Sequence, residues 1–413
     1  MRDCTKLKSL YYALFCVGMA TIPLGMVAFA QTGCANKQGS THTQSSTYAP
    51  PRMRPLEAGK QTKEAPKKEA PHRRREFAYI ASGSDIFQFR VSQQGHLSSL
   101  LPELASTGQE IRQIVPDPHG QSLYVTDNNS QHLSQYTIKP DGTLSLPAAS
   151  VGLLDGEETD MVFSPDGKFL YVATDSGTIE QFDVQGGKSI QLHLSLSLLN
   201  RGADTTLAVE PRGRFLYYGH NGSLSQMRIR RDGVLEPLSP ADADGGTFYS
   251  IVPSADGKFV YAHAIIPSTG MGAIREYKIN VNGTLRLLTH DYVPLNTSVL
   301  VSHPRRPYLY AANLYGLTAI QPLRVLPSGR LHPFSSVSYA GGVRFPSFLH
   351  TSVDFSIDPT GRFAWSAQND FTQSPAPPTQ LLQYRVNSNG TLTTLSTYSF
   401  KGKVFSPPIA VWH

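Results

Sequence analysis

Six polar side chains in this chain recur at two kinds of position in a repeating pattern. Arg112, Asp160 and Asp354 stand where the first strand of a repeat begins, and Asp175, His220 and Asn369 stand where the second strand ends. A guanidinium at such a place can hold a carboxylate or phosphate. A carboxylate or imidazole beside it can take up and return a proton. On that basis Asp160, Asp175 and His220 are the candidate catalytic residues, and Arg112, Asp354 and Asn369 are the candidate substrate-binding residues. The competing reading is that these groups satisfy loop amides and one another, as polar residues at strand ends do. No His/Asp/Glu cluster has metal-ligand spacing, and no glycine-rich loop leads into a helix. Neither a metal nor another cofactor is expected.

The elements that must position these residues are read from the repeat. Its clearest copy is residues 159–184, TDMVFSPDGKFLYVATDSGTIEQFDV. An apolar strand, a Pro-Asp-Gly turn, a strand carrying an aromatic, a short polar loop and an alternating third strand follow in order. The second-strand aromatic recurs at Tyr79, Tyr124, Tyr171, Tyr217, Tyr261, Tyr310 and Trp365, at intervals of 44–55 residues. Phe169, Phe215, Phe259 and Phe363 recur at the start of that strand and read as core. A later turn recurs as PDGTL (140–144), RDGVL (231–235), VNGTL (281–285), PSGRL (327–331) and SNGTL (388–392). Its glycine supplies a positive φ. His303 takes the place of Ser164 or Glu210 beside the turn proline, which makes it a turn-capping or surface residue, and His263 sits inside a blade motif.

This arithmetic predicts an all-β fold, a seven-bladed β-propeller of four-stranded blades over residues 76–413. The ordered part begins on a second strand, and the chain ends on an orphan first strand at 408–412. That strand can complete the first blade and close the ring, which removes exposed sheet edges. The insertions at 265–272 and 371–380 would widen the mouth that carries the six polar residues.

The remaining segments read as an address and a tether. Residues 10–30 are uncharged and largely apolar behind a basic start, as in a signal peptide. Cleavage after Ala30, lipidation at Cys34 in the lipobox-like Thr32-Gly33-Cys34, and an uncleaved anchor are the three alternatives for residues 1–34. The expected location is exported, in the periplasm or cell envelope. Residues 35–75 are polar and proline-rich and read as a disordered linker. Between Arg52 and Arg75 nine Lys/Arg face three Glu, which accounts for the entire net charge of +6. The basic character therefore belongs to the linker, which argues against nucleic-acid binding by the folded part. Membrane contact is expected only through the N-terminus or linker. No cysteine follows Cys34, so the folded part has no disulfide.

The copies FSPDGKFLYVATDSGTIEQFDV, VEPRGRFLYYGHNGSLSQMRI and SHPRRPYLYAANLYGLTAIQPL, with VNGTLRLL and SNGTLTTL, resemble the seven-bladed lactonase family. That family includes 6-phosphogluconolactonase and the carboxymuconate cyclases. The resemblance covers about residues 77–413. It implies hydrolysis of a sugar lactone or other cyclic ester at the mouth of the central channel, with a small-molecule partner; the chain itself is expected to be a monomer. The family places an Arg-His pair at a first-strand entry and an Asn-Glu pair at a second-strand end. Here the fourth repeat has Thr205-Thr206 and His220-Asn221 instead. The alternative function is a non-catalytic envelope propeller that binds a protein, peptide or glycan through its mouth loops.

Overall fold

The computed structural model describes residues 76–127, 131–145, 148–185, 189–197, 205–265, 272–288, 293–294, 297–313, 320–334, 351–370, 379–400 and 409–412. The address, the linker, Cys34 and most of the two long insertions lie outside them. Every regular element among the described residues is a β-strand.

The first sheet holds β1 (Glu76–Ser82), β2 (Asp85–Val91) and β3 (Leu97–Ser106). The second holds β4 (Ile111–Pro116), β5 (Ser122–Asp127), β6 (His132–Thr137) and β7 (Ala148–Leu153). The third holds β8 (Glu158–Phe163), β9 (Phe169–Thr174), β10 (Thr178–Gln185) and β11 (Ser189–Ser197). A larger sheet follows, with β12 (Thr206–Val209), β13 (Phe215–Gly219), β14 (Asn221–Ile229), β15 (Leu235–Pro253), β16 (Phe259–Ile265), β17 (Gly272–Ile279), β18 (Leu285–Leu287) and β19 (Val293–Pro294). The next holds β20 (Thr297–Ser302), β21 (Tyr308–Asn313), β22 (Ile320–Val325) and β23 (Leu331–Pro333). The last holds β24 (Thr351–Ile357), β25 (Phe363–Asp370), β26 (Thr379–Val386) and β27 (Leu392–Phe400). Finally β28 (Ile409–Trp412) pairs antiparallel with β1, Phe77 opposite Trp412 and Ile80 opposite Ile409, making the first sheet four-stranded.

The expectation of seven separate four-stranded blades is corrected here. Five four-stranded sheets stand apart, and the fourth and fifth repeats share one eight-stranded sheet. The cause is β15, 19 residues long. Its first part pairs with β14 as far as Thr247, and from Thr247 to Pro253 it pairs with β16. Gly245 and Gly246 lie opposite Ser223 and Gly222, so the strand passes from one pairing to the next without a crowding side chain.

The repeated residues explain the stacking. Buried apolar side chains gather in seven clusters, each shared by two neighbouring repeats. One cluster joins Phe363, Trp365 and Leu381 of the last sheet to Ala78, Ile80 and Phe89 of the first. In five repeats the second-strand tyrosine also reaches across the interface, while the buried Tyr124 hydroxyl has no hydrogen-bond partner. Tyr79, Tyr171, Tyr217, Tyr261 and Tyr310 donate their hydroxyls to the carbonyls of Gly142, Gly233, Gly283, Gly329 and Gly390 at 2.8–2.9 Å. Each acceptor is the glycine of the next repeat's later turn. Gly283 has φ +95°, and a Cβ there would stand 2.2 Å from the Phe215 ring. The tight turn and the close ring both require glycine.

A buried polar residue caps the first turn of each described repeat. Ser164 Oγ accepts from Phe169 N at 3.0 Å, and Glu210 accepts from Arg212 N and Arg214 N at 3.1 and 2.9 Å. His303 does the same through Nδ1, accepting from Arg305 N and Arg306 N at 3.0 and 3.1 Å. His303 is thus a buried turn cap, the first of the two roles its position predicted.

Candidate active site

At the other edge of the sheets, the start of each first strand lies opposite the end of the second. The pairs are Ile111–Asp127, Glu158–Thr174, Thr206–Gly219, Thr247–Ile265, Thr297–Asn313 and Thr351–Asp370. We term this the mouth edge. Four first strands are bulged within three residues of their start. Arg112, Thr159, Tyr249 and Ser298 are the extra residues, because the register jumps from 111 to 113, 158 to 160, 248 to 250 and 297 to 299. A bulge re-aims a side chain out of the regular alternation. The recurring device therefore presents one non-ladder residue per repeat at the mouth edge.

Around the first two bulges, at Arg112 and Thr159, the polar groups form one network. Arg112 Nε lies 3.5 Å from Glu158 Oε2, and its Nη1 lies 3.7 Å from Glu157 Oε2. Thr126 donates its hydroxyl to Glu158 Oε2 at 2.8 Å. The Glu158 side chain is 2% exposed and that of Arg112 30% exposed. Burial pushes the Glu158 carboxyl up to about 7, with Arg112 pulling against it and Asp160 adding to the rise. Glu158 can therefore take and return a proton near neutral pH. The partly open guanidinium beside it offers a fixed positive charge.

Asp160 belongs to the same network and joins three repeats. It accepts from Gln113 Nε2 at 3.2 Å, from its neighbour Met161 N at 2.8 Å and from Leu207 N at 2.7 Å. Desolvation raises its pKa against these hydrogen bonds. All three contacts orient backbone and side chain, so its lone pairs are committed to positioning. Thr159 and Thr205 meet through their hydroxyls beside it.

Asp175 and His220 hydrogen-bond to groups other than Arg112 and Glu158. Asp175 is exposed, and its Oδ1 accepts from Glu157 N at 2.9 Å, which fixes the loop that delivers Glu158. His220 is 2% exposed; its Nε2 faces Ser223 Oγ at 2.9 Å and Ser225 Oγ at 3.2 Å, and Ser225 donates to Asp242 at 2.6 Å. The serines of its own hairpin hold its ring, and no hydrogen bond links it to Arg112 or Glu158 among the described residues. Asp354 pairs with Ala367 and Asn369 with Ser352 in the last sheet, while their side chains lie outside the described ones. Among the described residues no group of three His, Cys, Asp or Glu is placed to hold a metal ion.

Sequence reasoning missed Glu158. The signal was present as the Glu157-Glu158 pair directly before Thr159-Asp160. The alternation pattern hid it, because the bulge at Thr159 shifts which residues face the neighbouring repeat.

The sequence matches no protein-family model and no curated protein. Solved structures resemble it. A candidate 6-phosphogluconolactonase from Bacteroides fragilis is 17% identical, with a TM-score of 0.61 covering 84% of this chain and 100% of its own. The periplasmic gluconolactonase PpgL of Pseudomonas aeruginosa is 20% identical, with a TM-score of 0.60 covering 81% of this chain and 99% of its own. The fold is a β-propeller. Sqt1 from Chaetomium thermophilum, solved bound to the N-terminus of a ribosomal protein, is 15% identical, with a TM-score of 0.51 covering 78% of this chain and 83% of its own. The propeller thus resembles structures named as lactonases and one bound to a peptide, and function has to be argued from the mouth edge itself.

Proposed function

We propose that this propeller is an exported hydrolase that opens a sugar lactone or other cyclic ester at its mouth. The observation that carries this is Glu158, a buried carboxyl with a pKa near neutral, ion-paired to a partly open Arg112. Ionised Glu158 takes a proton from water as the oxygen adds to the ring carbonyl carbon. Arg112 steadies the negative charge that gathers on the carbonyl oxygen. The ring C–O bond then breaks, and Glu158 returns the proton to the leaving alkoxide. Water is consumed and a hydroxy acid is released. Asp175 and Asp160 act as positioning residues for the loop and strand that carry Glu158. The gluconolactonase and 6-phosphogluconolactonase names of the similar structures support this substrate class.

The same proposal includes the finer architecture. The eight-stranded sheet counts as two blades that share β15, giving seven, with β28 as the innermost strand of the first and the closing member of the ring. The seven inter-repeat clusters support that count. Export follows from residues 1–34, with Cys34 as the lipidation site if the lipobox is used and Ala30 as the cleavage point otherwise. The chain is proposed to act as a monomer, touching membrane only through its N-terminus or linker.

The test is a pH-stat screen of the full chain against a panel of sugar lactones and simple cyclic esters. On any substrate that turns over, Glu158→Gln should lower kcat by roughly 10²–10⁴-fold, the usual scale of a lost general base. The wild-type rate should rise through about pH 7 as Glu158 ionises. His220→Ala should keep its rate. A Glu158→Gln enzyme with unchanged kcat would remove Glu158 from the chemistry. A panel with no turnover leaves the non-catalytic binding propeller as the better reading.

A further inference from the structure

The two edges of the sheets differ in charge. Opposite the mouth edge, the first and later turns of the repeats form what we term the turn edge. The tyrosine–glycine bonds join these turns across five interfaces. Between the second and third repeats, His119 Nε2 meets Asp166 O at 2.8 Å, first turn to first turn. The turns of successive repeats therefore lie on one side of the molecule. Every exposed Lys and Arg among the described residues, seventeen in all, stands in these turns or on the strand ends that flank them. Five exposed acids share that edge: Asp141, Asp166, Asp232, Glu236 and Asp256.

The mouth edge has the opposite character. Glu110, Asp155, Glu157 and Asp175 stand there, exposed or half-buried. The two remaining described cations are shielded. Arg112 is half-buried beside Glu157 and Glu158, and the buried Arg275 lies 2.9 Å from Asp244.

Packing does not account for this division. The third-strand residue opposite the start of the second strand is a cation in five repeats: Arg90, Arg228, Lys278, Arg324 and Arg385. The third repeat has Asp183 there, opposite Phe169, and the second has Thr137, opposite Ser122. The fold thus accepts an acid or a hydroxyl at that place. Some turn-edge cations do meet a local acid, as Lys168 meets Asp166 at 3.0 Å and Lys258 meets Asp256 at 3.1 Å. Exposed pairs of this kind hold their partners weakly. Seventeen exposed cations against five exposed acids leave the edge strongly positive. A surface of one sign attracts a partner of the other.

Where the chain enters the fold indicates the partner. Glu76, the first described residue, opens β1 at the turn edge and is ion-paired with Arg362 of the last repeat's first turn. Before it the sequence carries the nine Lys/Arg of residues 52–75, and before those the apolar run 10–30. An apolar segment, then a basic segment, then a basic edge of the fold is a sequence of features suited to an anionic bilayer. Each Lys or Arg close to such a surface strengthens the attraction about fivefold, within a screening length of roughly 8 Å at physiological salt. We propose that the turn edge docks on an anionic phospholipid bilayer, with the mouth edge turned away from it. This goes beyond the reading above, in which only the N-terminus or linker touches membrane, and it does not depend on hydrolysis.

The test is brief lysine acetylation of the full chain on two kinds of vesicle, phosphatidylcholine alone and phosphatidylcholine mixed with phosphatidylglycerol. Labelling is read at Lys168 and Lys258 by mass spectrometry. On the anionic vesicles both lysines should label about threefold more slowly or less, and molar salt should abolish the difference. Carboxyl labelling of Asp175, at the mouth edge, should be equal on the two. Arg231→Glu with Arg305→Glu reverses two exposed turn-edge charges and should bring lysine labelling on the two vesicles together. A thermal melt shows whether that variant is folded, and the salt series on wild type decides the matter if it is not. Replacing the nine Lys/Arg of residues 52–75 by Gln should leave the protection in place, which separates this edge from the linker. The proposal is overturned if wild type labels equally on both vesicles, or if protection survives molar salt or the double reversal in a folded chain. It is also overturned if protection is lost with the linker charges alone, or is given by soluble dextran sulfate and not by the anionic vesicles.

Discussion

The two ends of the repeat obey different rules. At the turn edge the same interaction recurs: the second-strand tyrosine of one repeat holds the later-turn glycine of the next, in five described pairs. At the mouth edge the backbone device recurs but the side chain does not: Arg112, Thr159, Tyr249 and Ser298 occupy the same bulge. Stacked repeats share one packing problem at every interface, and five of them meet it with one residue pair. The bulge faces no such problem, so each repeat can present different chemistry there. Uniformity therefore marks where the propeller is held together, and the proposed chemistry lies where the repeats differ.

The strongest way to break that contrast is to disturb the turn edge. Gly283→Ala would place a methyl group 2.2 Å from the Phe215 ring on a backbone with φ +95°. Overpacking and left-handed strain together should cost about 3 kcal/mol or more. Urea unfolding of the full chain measures this, and a loss below about 1 kcal/mol would show that the glycine latch is dispensable.

The mouth edge should respond in the opposite sense. The folded-state pKa of Glu158 is raised to about 7, above the usual value near 4.5. The folded chain holds that proton more tightly than the unfolded one. The stability it confers is thus complete below about pH 4.5 and is lost as pH rises through about 7. Glu158→Gln keeps the neutral form at all pH values. It should raise stability at pH 8 by about 2–3 kcal/mol and change little at pH 4. Thermal melts at the two pH values check this. A residue whose removal stabilises the fold while stopping turnover is retained for chemistry. Equal destabilisation at both pH values would instead place Glu158 with the structural polar groups.

The same contrast explains what could be read from the sequence. The strand order, the core phenylalanines and the later-turn glycines were legible because the packing problem repeats and so does its signature. The tyrosines were legible as markers, although their hydroxyl partners lie 62–80 residues away and only folding brings them together. The fusion of the fourth and fifth repeats was not legible, since the repeat pattern predicts separate blades whereas Leu235–Pro253 is one continuous strand. Of the candidate residues read from the sequence, Arg112 and Asp160 both act on Glu158, one by an ion pair and one by its charge. Glu158 was missed because one inserted residue changes the facing of its neighbours. The neighbours of His220 were not legible, since only the fold brings Ser223 and Ser225 to its Nε2.

A smaller perturbation of the turn edge sharpens the contrast further by separating ring from hydroxyl. Tyr217→Phe keeps the buried ring and removes only the donor to Gly283 O at 2.9 Å. The carbonyl left behind has lost its cross-interface donor, which should cost about 1 kcal/mol. The core around Ala208, Leu224 and Ile251 should stay filled, so the denaturant m-value should not move. The lactone readout should not move either, since Tyr217 serves the opposite edge. A measured loss below about 0.3 kcal/mol would mean that the aromatic ring alone is what each repeat requires, and that the hydroxyl is tolerated at the interface without joining it.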